Sequence, residues 1–204
     1  MISGKTIDNL INLGFSANKL KKLSYFHDQL LIYNRKYNLI SQSTESMIWS
    51  RHILDSAQLI KYIKFGDGKT LADLGSGAGF PGLILSIFNQ NSKFHVKLYE
   101  KSSVKCDFLI NIIKKLNITA EVVSKPIGSV NIKANYVVCR AFKKLGQILD
   151  ISREIINKPH ELIILKGKNA QEEINYALKN GKFEYRLEKS MTDKDSKIIV
   201  MKII

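Results

Sequence analysis

Two hydrophobic periods divide the chain. Up to about residue 65, apolar positions recur at steps of three and four. Leu20, Leu23, Phe26, Leu30 and Tyr33 share one face and predict a helix. A short loop, Tyr37-Asn38-Leu39-Ile40-Ser41, follows. Ser41 and Ser43-Thr44-Glu45 can then cap a second helix, which carries Met47, Ile48, Ile53, Leu59, Ile60 and Ile63 and stops near Gly66-Asp67-Gly68. From Thr70 the period switches. Strand-like runs at 70–75, 94–100, 120–124, 136–139 and 161–166 alternate with helical runs from Pro81 and over 104–116, 145–156 and 170–180. Runs at 183–189 and 197–203 predict a hairpin across Thr192-Asp193. Strands alternating with helices mean βαβ units and a mostly parallel sheet, here with antiparallel pairing at one edge. The expected organisation is one structural domain, with residues 1–66 a helical extension packed on a core of residues 67–204.

Composition narrows the classes. The 204 residues, 45% apolar and 25% charged, suit a folded protein able to bury a core without disulfides. No apolar run reaches the roughly 18 residues of a membrane span. Met1-Ile2-Ser3-Gly4-Lys5 lacks the apolar stretch of a secretory signal, so a cytoplasmic protein is expected. Cys106 and Cys139 are too few and too far apart for a disulfide framework or a zinc site, and no metal is expected. Thirty-two Lys+Arg against 18 Asp+Glu give a net charge of +14, which favours a polyanionic partner. Only five of those cations are Arg, and a chain rich in Lys, Ile and Asn is also what an AT-rich genome encodes, so charge alone does not decide.

The sharpest chemistry lies at Leu71-Ala72-Asp73-Leu74-Gly75-Ser76-Gly77-Ala78-Gly79-Phe80-Pro81-Gly82, after the first strand and at the start of a helix. Glycines at such a turn let a ligand lie against bare backbone, in the crevice where doubly wound sheets bind nucleotides. Gly77-x-Gly79-x-x-Gly82 formally satisfies the dinucleotide fingerprint. The turn, however, begins at Gly75, directly after Asp73, and Glu100 ends the second strand. Asp73, Gly75, Gly77, Gly79 and Glu100 in those places are the arrangement of S-adenosylmethionine methyltransferases. There the glycines clear room for the methionine moiety. Asp73 orders the loop or meets the amino group, and the paired oxygens of Glu100 suit a ribose diol.

The end of the fourth strand, Tyr136-Val137-Val138-Cys139-Arg140-Ala141-Phe142, limits the acceptor. It lacks the Asn/Asp-Pro-Pro-Tyr that cages an exocyclic amine. Cys139 lacks the preceding proline of cytosine-C5 enzymes, and a strand-end cysteine is more often a packed side chain. Such a site suits an acceptor that is nucleophilic while neutral, such as a ring nitrogen. Rate would then come from alignment and exclusion of water.

Tyr37-Asn38-Leu39, Arg51-His52-Ile53-Leu54-Asp55-Ser56, the loop 73–82, Arg140-Ala141-Phe142 and Leu165-Lys166-Gly167 occur in that order. This set, over roughly 33–168, closely resembles the bacterial small-subunit ribosomal RNA methyltransferase G family (RsmG, also GidB). The resemblance implies a class I S-adenosylmethionine-dependent methyltransferase fold with N-terminal helices. It implies methylation of N7 of guanine 527, in the 530 loop of 16S rRNA, within the 30S subunit or an assembly intermediate. Neither a membrane nor an obligate protein partner is implied. By match, Gly75 and Phe80 line the cofactor in the glycine loop and Glu100 holds the strand-two acid. Pro126 and Ile127 contact the cofactor after strand three, and Arg140 is the arginine after strand four. The family commonly has an acid after strand three, and Ser124-Lys125-Pro126-Ile127-Gly128 has none, although a main-chain contact would survive that change.

Arg51 and Asp55, four residues apart on one helix, can pair with each other. The resemblance gives Arg51, Asp55 and Arg140 positioning roles in the pocket or toward RNA, because a guanidinium fork fits phosphate and guanine alike. Asp55 could balance the charge gained by N7-methylguanine. His52 needs no proton-transfer role, and Lys166 meets phosphate or caps its strand. The runs Lys19-Lys21-Lys22, Lys114-Lys115 and Lys143-Lys144 are candidates for the RNA backbone. Two rivals remain: methylation of another RNA or a small molecule, and a nucleotide-binding regulator without turnover.

Overall fold

The computed structural model describes residues 2–179 and 183–204. It begins with α1 (Gly4–Asn12), a helix the apolar pattern above did not predict. Ser3 caps it by accepting the Thr6 N–H at 3.3 Å, and Leu10 anchors it in the core. α2 (Ala17–Tyr37) is the first predicted helix and buries Leu23, Phe26 and Leu30 on one face. Asn38 ends it in a left-handed turn, with φ at 49°. Buried Asn34 then pins the following loop. Its Oδ1 accepts the Ile40 N–H at 2.8 Å, and its Nδ2 donates to Glu45.

The second predicted helix is not one α-helix. It runs as a 3-10 turn at Gln42–Met47, a π segment at Ile48–Leu54, α3 (Asp55–Ala57) and a 3-10 turn at Gln58–Tyr62. Ser41 makes no side-chain cap and pairs instead with the Ser43 hydroxyl at 2.8 Å. The physical reason lies in the buried polar groups of this stretch. Ile48, Ile53 and Leu59 enter the core, while His52 and Asp55 must still reach partners on other elements. The uneven winding allows both, and π turns recur at such places.

The core is a sheet of seven strands in the order β3-β2-β1-β4-β5-β7-β6. β1 (Thr70–Leu74), β2 (His95–Tyr99), β3 (Glu121–Val123), β4 (Tyr136–Arg140) and β5 (His160–Lys166) are parallel. β6 (Glu184–Lys189) and β7 (Lys197–Ile203) form the expected hairpin, with β7 antiparallel to β5. α4 (Gly82–Phe88), α5 (Ser103–Leu116), α6 (Leu145–Ile155) and α7 (Ala170–Leu178) follow the strands. The predicted end of the last helix, Asn180, lies outside the described residues. This is the class I methyltransferase fold.

Strand alternation sorts the two faces. Leu71, Val138, Ile163 and Val200 join a cluster with α1, α2, α4 and α5, so the N-terminal helices share a core with the sheet. Ala72, Val137, Cys139 and Ile164 face α6 and α7. The order reverses at β1, flanked by β2 and β4, which opens a crevice at the strands' carboxyl ends. Among the described residues no helix is long and apolar enough to cross a membrane.

Candidate active site

A cleft of about 800 Å³ occupies that crevice. Gly75, Gly77 and Phe80 from the loop after β1 line it, with Glu100 after β2, Pro126 and Ile127 after β3, and Arg140 at the end of β4. Leu39, Ile40, Ser41 and Thr44 cover it from the helical side. Most residues expected at a cofactor site thus converge there, contributed by four strand ends.

The glycine loop is shaped by main chain. Gly75 and Gly77 have φ of +73° and +57°, where side-chain-bearing residues are disfavoured. A Cβ on Gly75 would stand 2.6 Å from the Phe142 ring, whereas one on Gly77 would meet only a backbone oxygen 3.9 Å away. The loop therefore leaves open space at Gly77 and is braced by an aromatic at Gly75. Glu100 fixes it from the end of the neighbouring strand. Its Oε2 accepts the Gly77 N–H, and its Oε1 accepts the N–H groups of Lys101 and Ser102, each at 2.9 Å. A carboxylate offers about four acceptor sites, so these bonds leave about one free. Glu100 can then take one ribose hydroxyl rather than both unless the loop yields.

Two expected cofactor residues stand behind the cleft. Asp73 is fully buried on the α4 side of β1 and accepts the Gly82 N–H at 2.9 Å through Oδ2. It orders the loop and does not line the cavity. Its Oδ1 has no partner among the described residues, and burial pushes its carboxyl up to about 7. Gly79 packs inward, where a Cβ would lie 2.9 Å from Leu83 and 3.1 Å from Leu109. It makes room for helix packing rather than for ligand.

Beside the main cleft lies a smaller one of about 290 Å³ that shares Thr44, His52, Arg140 and Ala141 with it. Arg51, Asp55, Lys166 and Thr192 also line it. The expected Arg51–Asp55 pair does not form, because Asp55 turns the other way. Its Oδ2 lies 3.5 Å from Arg140 Nη1. Its Oδ1 accepts from Gln58 at 2.9 Å, Ser190 at 3.3 Å and Thr192 at 2.7 Å. Arg51 contributes its carbonyl, which accepts from Arg140 at 2.8 Å, and leaves its own side chain exposed. Burial raises the Asp55 carboxyl above its ordinary value, and the hydroxyl donors and Arg140 act against that shift. The Arg140 guanidinium also hydrogen-bonds His52 and sits 5.5 Å from the Phe80 ring centre.

Cys139 and Lys166 take roles already open to them in the sequence, and Lys19 departs from its expected one. Cys139 is fully buried and burial drives its thiol far up, so it is packing and no nucleophile. The Lys166 ammonium caps β5, held by the Lys143 carbonyl at 2.7 Å and Glu173 at 2.8 Å. Lys19 is no solvated cation, since it lies 4.1 Å above the Phe88 ring. Lys143 lines the main cleft, together with Lys101, Lys105 and Lys125. Sequence reasoning missed the part played by Gln58, Ser190 and Thr192; the two hydroxyls stand 135 and 137 residues from Asp55 and left no local signal. Phe142 was legible only as the residue after Arg140-Ala141.

A family model described as rRNA small subunit methyltransferase G matches residues 19–200. The chain belongs to the rRNA small subunit methyltransferase G family. Curated members agree with this along nearly their whole length. The Ribosomal RNA small subunit methyltransferase G of Orientia tsutsugamushi (strain Ikeda) is 39% identical over 193 residues, covering 95% of each chain. That of Pelagibacter ubique is 34% identical over 200 residues, covering 96% of this chain and 93% of its own. Among solved structures, a SAM-dependent methyltransferase from Aquifex aeolicus superposes with a TM-score of 0.58 at 14% identity, covering 74% of this chain and 90% of its own. An Aeropyrum pernix fibrillarin with natively bound S-adenosyl-L-methionine gives 0.56 at 12% identity, covering 74% and 75%. At these identities the two structures speak to the fold, and the family assignment rests on the sequence relatives.

Proposed function

We propose that this chain, an rRNA methyltransferase by family, transfers the methyl group of S-adenosylmethionine to N7 of guanine 527 in 16S rRNA. The observation that carries this reading is the pair of adjoining clefts meeting at Arg140, where, among the described residues, the buried groups His52, Asp55 and Cys139 offer no free base. His52 is held neutral, with burial and the neighbouring arginines pushing its imidazole down to about 3, and both its ring nitrogens are engaged. Asp55 is saturated by donors, and Cys139 is sealed in the core. An acceptor that must lose a proton before attack would find none of these three buried groups free to take it. A purine N7, with its lone pair already in the ring plane, needs none.

The larger cleft fits the donor. Bare backbone at Gly77 offers the approach that a bulky methionine moiety requires, and Glu100 retains one acceptor site toward a ribose. When bound, the donor supplies an electrophilic methyl on a positive sulfur. The protein's part is alignment and exclusion of water. Pro126 and Ile127 close one side of the cavity with apolar surface, and Phe80 forms its floor under Arg140. In the smaller cleft, Arg51 carries no ion pair among the described residues and is free to donate to guanine O6 or to phosphate. Asp55 lies near enough to Arg140 that its negative charge faces the same space, where methylated N7 would place a new positive one.

The test is radiolabelled methyl transfer to undermethylated 30S particles and to naked 16S rRNA, followed by mapping of the modified base. N7-methylguanosine at position 527 is expected. Label at another base would reassign the target, and donor binding without transfer to either substrate would favour a regulator.

A further inference from the structure

His52 is a buried imidazole that the mechanism above leaves without a chemical step. Only 6% of it is exposed, and its ring lies 5.0 Å from that of Phe80 with 30° between planes. Both nitrogens have partners, and the chemistry of those partners fixes their roles. A guanidinium only donates. The nitrogen facing Arg140 Nη2 is Nδ1, so Nδ1 must carry a lone pair. The ring proton of a neutral imidazole then sits on Nε2, which faces Thr44 Oγ1 at 2.9 Å. The Thr44 hydroxyl donates its own hydrogen to the Ser41 carbonyl at 2.8 Å, leaving its oxygen to accept from Nε2. Each direction forces the next, and the chain closes on a main-chain carbonyl with every group satisfied.

We propose that His52 is a positioning residue for Arg140, holding its guanidinium at the junction of the two clefts through the one-way chain Arg140 to His52 to Thr44 to Ser41. On the guanidinium's other side, the Arg51 carbonyl at 2.8 Å and the Asp55 carboxylate at 3.5 Å complete the hold. Of the five N–H groups an arginine offers, these contacts use about three, leaving about two to face ligand. The burial that keeps the imidazole neutral down to about 3 is consistent with this chain, because a protonated ring would present N–H to N–H at Arg140. The helical layer thus sets the orientation of a side chain that belongs to the sheet. The inference rests on the methyl-transfer reading of this site, and the tests below separate the two.

Two measurements address it. In the first, His52→Ala, His52→Asn and Thr44→Val are compared with the unaltered protein for kcat and KM on 30S particles, donor affinity by calorimetry, and melting. Asn can return an acceptor oxygen near the place of Nδ1. Loss of the acceptor in His52→Ala is expected to lower kcat by roughly 10- to 100-fold, with donor affinity changed by no more than about 3-fold. His52→Asn is expected to recover most of that loss. Thr44→Val, which leaves the Nε2 proton without a partner, should lower kcat by about 3- to 10-fold. His52→Ala turning over normally, or His52→Asn no better than His52→Ala, would overturn the proposal. The second uses the unaltered protein and so does not depend on any variant folding. Nitrogen-15 NMR of the imidazoles should show His52 with Nε2 protonated and Nδ1 bare, and the opposite tautomer would overturn the chain. If the unaltered protein transfers no methyl while the tautomer is as stated, the methyl-transfer reading fails and the relay stands.

Discussion

The two walls of the cleft are built by opposite means. The wall after β1 is main chain. Its shape comes from glycines in left-handed conformations and from N–H groups gathered by Asp73 and Glu100. Its defining bond, Gly82 to Asp73, spans nine residues. The wall facing it is side chain. Arg140, His52 and Asp55 meet there, and Asp55 is completed by Thr192, 137 residues further along. A wall made mostly of nearby backbone takes shape once β1, β2 and α4 have formed, with Phe142 as a later brace. A wall made of distant side chains exists only when the helical layer, β4 and the terminal hairpin are all in place, so its precision is a property of the whole fold.

The sharpest way to break the comparison is Arg140→Ala. It leaves the Asp55 carboxylate buried without its cation, which is expected to cost about 3–5 kcal/mol of stability by denaturant melt. The helical layer should loosen from the sheet while the glycine loop keeps its form. A melt unchanged by this substitution would mean that the side-chain wall is not held by its charges. Gly75→Ala attacks the other wall. Positive φ and the Phe142 ring 2.6 Å from the new Cβ are expected to cost about 1–3 kcal/mol and to weaken donor binding by roughly 10-fold or more in calorimetry.

Acid separates the walls by sign. His52 is depressed to about 3 in the folded protein, chiefly by burial. Below the ordinary histidine value near 6.5, the unfolded chain takes a proton that the folded one refuses. His52 therefore makes stability fall as pH drops from about 6.5 toward 3, by up to about 1.4 kcal/mol per unit. Asp73 is raised to about 7, again chiefly by burial. Between 3.8 and 7 the folded chain keeps a proton that the unfolded one has lost. Asp73 therefore makes stability fall as pH rises through that window. Denaturant melts between pH 4 and 7 should show His52→Asn removing the first slope and Asp73→Asn the second. Parallel curves for both variants and the unaltered protein would contradict these assignments. The smallest expected effect is that of Thr192→Val. Removing one of several donors to Asp55 should cost about 1 kcal/mol and lower turnover a few-fold, with donor affinity unchanged.

The same division decides what the sequence reveals. The glycine loop, Glu100 and the alternation of strands and helices are local patterns, and each fell at or near its predicted place. The hairpin was legible for the same reason, since β7 keeps apolar residues on both faces within one short run. The stretch at 42–62 was not legible as it is. Its apolar spacing reads as an α-helix, and only the need of His52 and Asp55 to reach Arg140 explains the changes of winding. α1 was missed although Ile7, Leu10 and Ile11 stand at steps of three and four, because only nine residues carry that helical spacing. Asp73 and Gly79 show a subtler limit. Both belong to the motif, yet strand alternation turns Asp73 under α4 and packing claims Gly79, so membership in the motif does not fix which side of the loop a residue serves.

The bond from Thr192 to Asp55 also has a meaning in time. A ribosome adds about 5–20 residues per second, so Asp55 emerges on the order of ten seconds before Thr192. Throughout that interval the acid lacks the hydroxyls that the hairpin brings. A chain still being made can shape the glycine loop early, but it cannot finish the opposite wall. The side-chain wall is therefore completed late in synthesis, with the hairpin.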